Sequence, residues 1–178
     1  MQLIKNLNTK LTAPFSALSD GAISLFARFT FAAVLLMYFW KSGLTKLGDG
    51  FGGLFALNLN AYAQIFPKAM EAAGYDPSQL SIIHKMIAMA GTWAEFILPA
   101  LLLLGLLTRL AALGMMGFIA VQTWVDVNGH GAAFGSWFNN QSGELIADQR
   151  LLWIFLLVVL LIKGGGLLSL DRALKLDA

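Results

Sequence analysis

Glu95 stands in "TWAEFILPALLLLGLLTRL", where no other ionisable residue follows until Arg109. A charge inside so apolar a segment is expensive, and such groups are usually paired or line a cavity. Counting ~1.5 Å per residue along a helix, Glu95 falls near the middle of an apolar stretch from Ile82 to Leu107. Gln122 falls at a similar height on the next stretch and could hydrogen-bond to it. Arg28, about two helical turns into the first stretch, could climb toward it. Paired with Arg28 or Lys41, the carboxylate is a lock between helices. Facing a quinone-like or aqueous cavity, it could exchange a proton with a ligand.

A second polar level lies nearer the other end of the apolar stretches. Lys41 belongs to it, as do Asp126 with His130 just beyond, His84 and Lys85, and Asp148 with Arg150. All the stretches contribute titratable groups there, as a solvent-open vestibule would require. Plainer readings compete. Lys85, Arg109, Arg150 and Lys163 sit at stretch ends, where interface anchoring explains them. Asp148 suits a helix N-cap. His84 and His130 read as loop histidines, and Met86, Met89, Met115 and Met116 as packing residues. A copper route through His84, Met86 and Met89 is therefore not favoured, and no metal site is assigned. For Arg28, Lys41, Glu95 and Asp126 the functional and ion-pair readings stand level.

The elements that must carry these residues follow from composition. Only 12% of the residues are charged and 58% are hydrophobic, against roughly 25% charged in soluble domains. The mean hydropathy is +0.71. This is a polytopic membrane protein, all-α, in one domain. Roughly 20 apolar residues cross a bilayer, and four such spans are expected, at about 22–47, 82–107, 109–127 and 148–168. The fourth is short, so Arg150 and Lys163 should snorkel to the two interfaces. Almost nothing joins the second and third spans, which predicts a tight antiparallel hairpin. In the first long loop Phe55, Leu59, Tyr62 and Phe66 repeat at helical spacing, predicting a short interfacial helix broken near Pro67. Six Lys/Arg on the side of both termini against four on the other favour cytoplasmic termini. The absence of cysteine removes disulfides, thiolate metal sites and thiol relays. No basic patch with interleaved aromatics points to nucleic acid.

Three segments carry a resemblance. "RFTFAAVLLMYFWKSGLTKL", "EFILPALLLLGLLTRLAAL" and the closing "LLSLDRAL" together resemble the DoxX family of four-helix bacterial membrane proteins. The resemblance spans roughly residues 22–174. It implies a multi-pass protein of the bacterial cytoplasmic membrane, often linked to redox systems. Members include a small subunit associated with thiosulfate:quinone oxidoreduction, and others accompany oxidative-stress or metal-handling proteins. By motif position, Arg28, Lys46, Glu95 and Arg109 are the family-like polar residues. Relatives often place a histidine near the outer end of the third span; here "WVDVNGH" puts Asp126 and His130 on either side of that place.

Three functions compete at this stage. The first is an accessory or quinone-associated component of a membrane redox system, acting with a soluble or membrane partner. With no cysteine and no cofactor motif, the chain would not pass electrons unaided. The second is a structural or assembly subunit in which Glu95 only joins helices. The third is a small transporter or metal-handling helper, for which four spans would require a homo-oligomer.

Overall fold

The computed structural model describes residues 1–16 and 20–176. Among them every regular element is helical, and the only extended pairing is an isolated bridge between Leu47 and Leu57. Four helices are long and apolar enough to span a membrane: α2 Asp20–Leu44, α5 Ile82–Leu104, α6 Thr108–Asn128 and α7 Leu145–Lys163. The expected spans are thus found with shifted ends. The largest shift is in the fourth, which begins at Leu145 and stops at Lys163, because Gly164, Gly165 and Gly166 follow. A helix there would cost about 1 kcal/mol per glycine relative to alanine. Shorter helices are α1 Gln2–Ser16, α3 Leu59–Ile65, α4 Pro67–Ala72 and α8 Leu170–Ala173.

The spans run up and down and close into a ring: α2 packs on α5 and α7, and α6 packs on α5 and α7. One face of the ring carries the start of α2 and the end of α7. We call it the terminal face, and the opposite one the loop face. The core joins Phe31, Leu35 and Phe39 of α2 to Leu102, Ala111, Ala112, Met115, Ile119, Trp153, Leu157 and Leu160. Phe39 meets the rings of Phe118 and Trp153 edge-on. Large apolar side chains on the outer faces, such as Phe29, Val34, Leu113, Trp124 and Phe155, are exposed, as lipid contact demands.

The stripe that α2 buries recurs every fourth residue at Phe31, Leu35, Phe39 and Gly43. At 3.6 residues per turn such a stripe drifts about 40° per step. A π-helical turn at Ala32–Leu36 holds more residues per turn and offsets the drift. Gly43 lies against the Phe96 ring, where a Cβ would come within 2.6 Å of the ring edge.

The hairpin between α5 and α6 is as tight as expected. α5 ends on Gly105 at φ +65, with Leu106 N–H donating to the Leu101 carbonyl, a Schellman closure. A side chain at Gly105 would also meet the Arg28 guanidinium at 2.7 Å. α3 and α4 form the anticipated loop helix, broken at Phe66 and Pro67. Tyr62, Met70, Leu80 and Ala88 make a second small core there. α1 was not anticipated. Leu3, Ile4, Leu7 and Leu11 are exposed along it, at spacings that align them on one side of a helix.

Candidate functional site

The cation that meets Glu95 is Lys46. Its Nζ donates to both Glu95 oxygens at 2.9 Å, to Ser42 Oγ at 2.8 Å and to the Ser42 carbonyl at 3.2 Å. Ser42 Oγ in turn donates to Glu95 Oε1 at 3.0 Å. Both charged side chains are 6% exposed. Lys46 lies just past the end of α2 and is held by Asn58. That side chain donates to the Thr45 and Leu47 carbonyls and accepts from Ala61 N–H, capping α3. Its backbone N–H donates to the Lys46 carbonyl. Pro99 lacks the N–H that would otherwise bond the Glu95 carbonyl.

Counting depth from Ile82 misplaced Glu95's neighbours. The first turns of α5 run beyond the end of α2 and pack against α3, so Glu95 faces the last turn of α2. Lys41, the other cation proposed for Glu95, is exposed and forms no ion pair among the described residues.

Arg28 does not climb toward Glu95. Its Nε donates to the Leu102 carbonyl, Nη2 to Leu103, and Nη1 to Gly165 and Leu168. The guanidinium thus ties the end of α5 to the segment after α7. Leu102 and Leu103 end a helix, where carbonyls lack intrahelical donors and favour a cation. Asp171 completes this terminal-face latch by accepting from Leu107 N–H at 2.6 Å and Thr108 N–H at 2.8 Å. It caps α6 from another element, a role that a local capping pattern does not reveal. Asp171→Ala should therefore lower stability by ~1–2 kcal/mol. Thermal unfolding in detergent checks this, and a melting temperature equal to wild type would contradict it.

Arg150 is not a snorkelling anchor. It is buried, pairs with Asp126 through Nη2 and donates from Nη1 to Thr123 Oγ1. The π-helical opening of α7, Leu145–Gln149, brings it in from the loop face. Lys163, at the other end, pairs with Asp20 at 2.9 Å. Asp148 is not the N-cap residue. From inside the first turn it reaches back to accept from Gly143 and Glu144 N–H. His84 bonds Ser81 Oγ and abuts the Phe66 ring. Met86 is exposed and lies about 200° around the helix from His84. Among the described residues no three His, Cys, Asp or Glu side chains group as metal ligands. Arg109 is exposed at the start of α6.

Of His84, His130, Asp148 and Arg150, expected around an outer vestibule, only His130 lines the same cavity as Glu95. This cavity of about 470 Å³ lies among the end of α2, α3, α5 and α6, walled by Leu98, Phe118, Val121 and the small residues Gly91, Ala94, Gly114 and Gly117. Its polar lining is Ser42, Lys46, Gln64, Glu95, Gln122, Asp126 and His130. Gln122 and Glu95 share this cavity without bonding each other; Gln122 Nε2 donates to Tyr38. A second hollow of about 390 Å³, beside Trp137, Ile154 and Arg150, is almost wholly apolar.

Compared with models of known families, residues 23–128 match DoxX. The chain belongs to the DoxX family. The DoxX match includes Arg28, Lys46, Glu95, Arg109, Gln122 and Asp126 and ends with α6, so α7 and the Asp171 latch lie outside it. Searches of curated proteins and of solved structures gave no match.

Proposed function

We propose that this DoxX protein is an accessory component of a membrane redox system and binds a quinone-type ligand in the cavity between α5 and α6. One observation carries the reading: an apolar-walled cavity of about 470 Å³ ends on an ion-paired carboxylate within a membrane-spanning helix. Its size is within the ~300–1,000 Å³ of small-molecule sites, which pair apolar walls with a few placed polar groups. The residues fit such a group. Leu98, Phe118 and Val121 suit a ring and tail, the Gln122 amide can donate to a ring carbonyl, and Glu95 can accept from a ring hydroxyl once the ring is reduced. A bound quinone would supply a two-electron, two-proton carrier soluble in the bilayer. The protein's own residues bind and orient it, and a partner protein supplies the electron route. The surplus of Lys and Arg on the terminal face supports a bacterial cytoplasmic membrane protein with both termini in the cytoplasm.

Gly117 gives a clean test, because a Cβ there meets nothing within 4 Å. Gly117→Leu should fill the cavity without a clash and gain helix propensity of about 1 kcal/mol. A decyl-tailed benzoquinone should quench the five tryptophans saturably in wild type, and the variant should bind about tenfold more weakly or worse. Unsaturable quenching, or identical curves for both proteins, would contradict the site.

The Lys46–Glu95 geometry also favours a second reading, an assembly subunit in which the pair only joins α2 to α5. In that case the cavity variant binds partners normally, and no quinone saturates.

A further inference from the structure

The polar atoms lining the α5–α6 cavity divide sharply into those already engaged and those left over. Every donor nitrogen and hydroxyl on the wall has a partner within the protein, and the donor capacity left over is the second hydrogen of the Gln64 and Gln122 amides. Lys46 Nζ is held by Ser42 and Glu95, and Ser42 Oγ donates to Glu95. Gln64 Nε2 donates to Thr45 Oγ1 and Gln122 Nε2 to Tyr38. His130 Nε2 faces the Gln64 carbonyl at 2.9 Å. A carbonyl only accepts, so Nε2 carries a proton there and is engaged.

The atoms with no partner, or with a lone pair to spare, are acceptors. Gln122 Oε1 is buried with no hydrogen-bond partner. Asp126 turns only Oδ2 to Arg150, which leaves Oδ1 open. Glu95 Oε2 receives Lys46 alone and, as a carboxylate oxygen, has a further lone pair. Lys46, Glu95 and Asp126 together give the lining a net charge of −1, with Arg150 behind Asp126. A ligand that only accepts hydrogen bonds would meet these oxygens without donating to any of them. A ligand bearing hydroxyl groups would satisfy them, and a buried acceptor left unsatisfied is costly.

We infer that the cavity selects the reduced, dihydroxy form of a lipophilic ring over its oxidised dicarbonyl form. The inference rests on the reading of the cavity as a quinone-type site and adds a direction to it. The protein holds the hydroquinone, by donation from its hydroxyls to Gln122, Asp126 and Glu95, and releases the quinone. For a bound two-electron couple, tenfold tighter binding of the reduced form raises the midpoint potential by about 30 mV. Where the two forms are equally abundant the reduced ligand is then the favoured occupant, which suits a component that receives hydroquinone made elsewhere in the membrane.

Calorimetric titration of the full chain in mild detergent tests this with three probes sharing one decyl tail: the benzoquinone, its hydroquinone, and the hydroquinone dimethyl ether. The chain has no cysteine, so the reductant that keeps the hydroquinone reduced leaves the protein intact. The hydroquinone should bind at least about tenfold more tightly than the quinone, and the ether, which has no donors, no more tightly than the quinone. Equal affinities, or a quinone that binds better, overturn the selectivity and leave the site standing. Binding by none of the three overturns the site and the selectivity together.

Discussion

Lys46→Met should destabilise the folded bundle by about 3–5 kcal/mol, the cost of leaving one member of a buried ion pair without its partner. Both side chains are 6% exposed, so the carboxylate left behind stays largely shielded from bulk solvent. Glu95 would keep only Ser42 as a donor. For a chain of this length that corresponds to a fall of roughly 10 °C in melting temperature. Glu95→Leu should cost a similar amount, because it strands the ammonium instead. The double variant Lys46→Met/Glu95→Leu should recover most of the loss, since apolar replacement of a whole buried pair is often neutral or stabilising. Strong non-additivity in this cycle is the signature of a direct pair. Thermal unfolding of the four proteins in one detergent measures it. Additive losses, or single variants as stable as wild type, would show that the pair does not join α2 to α5.

Arg28→Lys should be nearly as damaging, at about 3 kcal/mol. Hydrogen bonds to a charged group contribute roughly 1.5–3 kcal/mol each and do not add. The guanidinium donates to four carbonyls from two separate segments. An ammonium keeps the charge but not the planar fork that reaches both segments at once. The loss should be local first. The segment from Gly164 to Ala173 is held by Arg28 and by Asp171, so limited proteolysis should cut there early in the variant. Wild-type resistance in Arg28→Lys would show that charge alone holds the latch.

The spans were legible because lipid-facing helices need long apolar runs, and those runs are visible without knowing any partner. The hairpin was legible because only Gly105, Leu106 and Leu107 separate α5 from α6. Glu95 was legible as an anomaly, but its partner was not. Depth counting treats all spans as starting level, whereas α5 begins well beyond the end of α2, with α3 packed beside it. Lys46 therefore looked like a residue at the end of the first span, away from Glu95, and only the family resemblance singled it out. Arg150 looked like an anchor for a related reason. The π-helical turn that starts α7 at Leu145 is not visible in a pattern of apolar residues, and it moves Arg150 inside the bundle. Asp171 was missed because it caps a helix more than sixty residues away in sequence. The stripe on α1 was obscured by the asparagines and threonines between its leucines.

Most of the site's polar atoms hold the bundle together as well as line its cavity. Lys46 and Glu95 join α2 to α5, Asp126 and Arg150 join α6 to α7, and His130 joins the end of α6 to α3. A ligand between α5 and α6 would contact all three links, so occupancy and bundle stability should be coupled. Ligand at a hundred times its dissociation constant adds about 2.7 kcal/mol to the folded state.

The most direct test is a structure determined in a lipid nanodisc loaded with the decyl-tailed hydroquinone. The proposed function predicts ring density between α5 and α6, beside Gly117, with one ring oxygen within hydrogen-bond distance of Glu95 or Gln122. Ring density elsewhere, or a lipid chain filling that cavity at saturating hydroquinone, would contradict it.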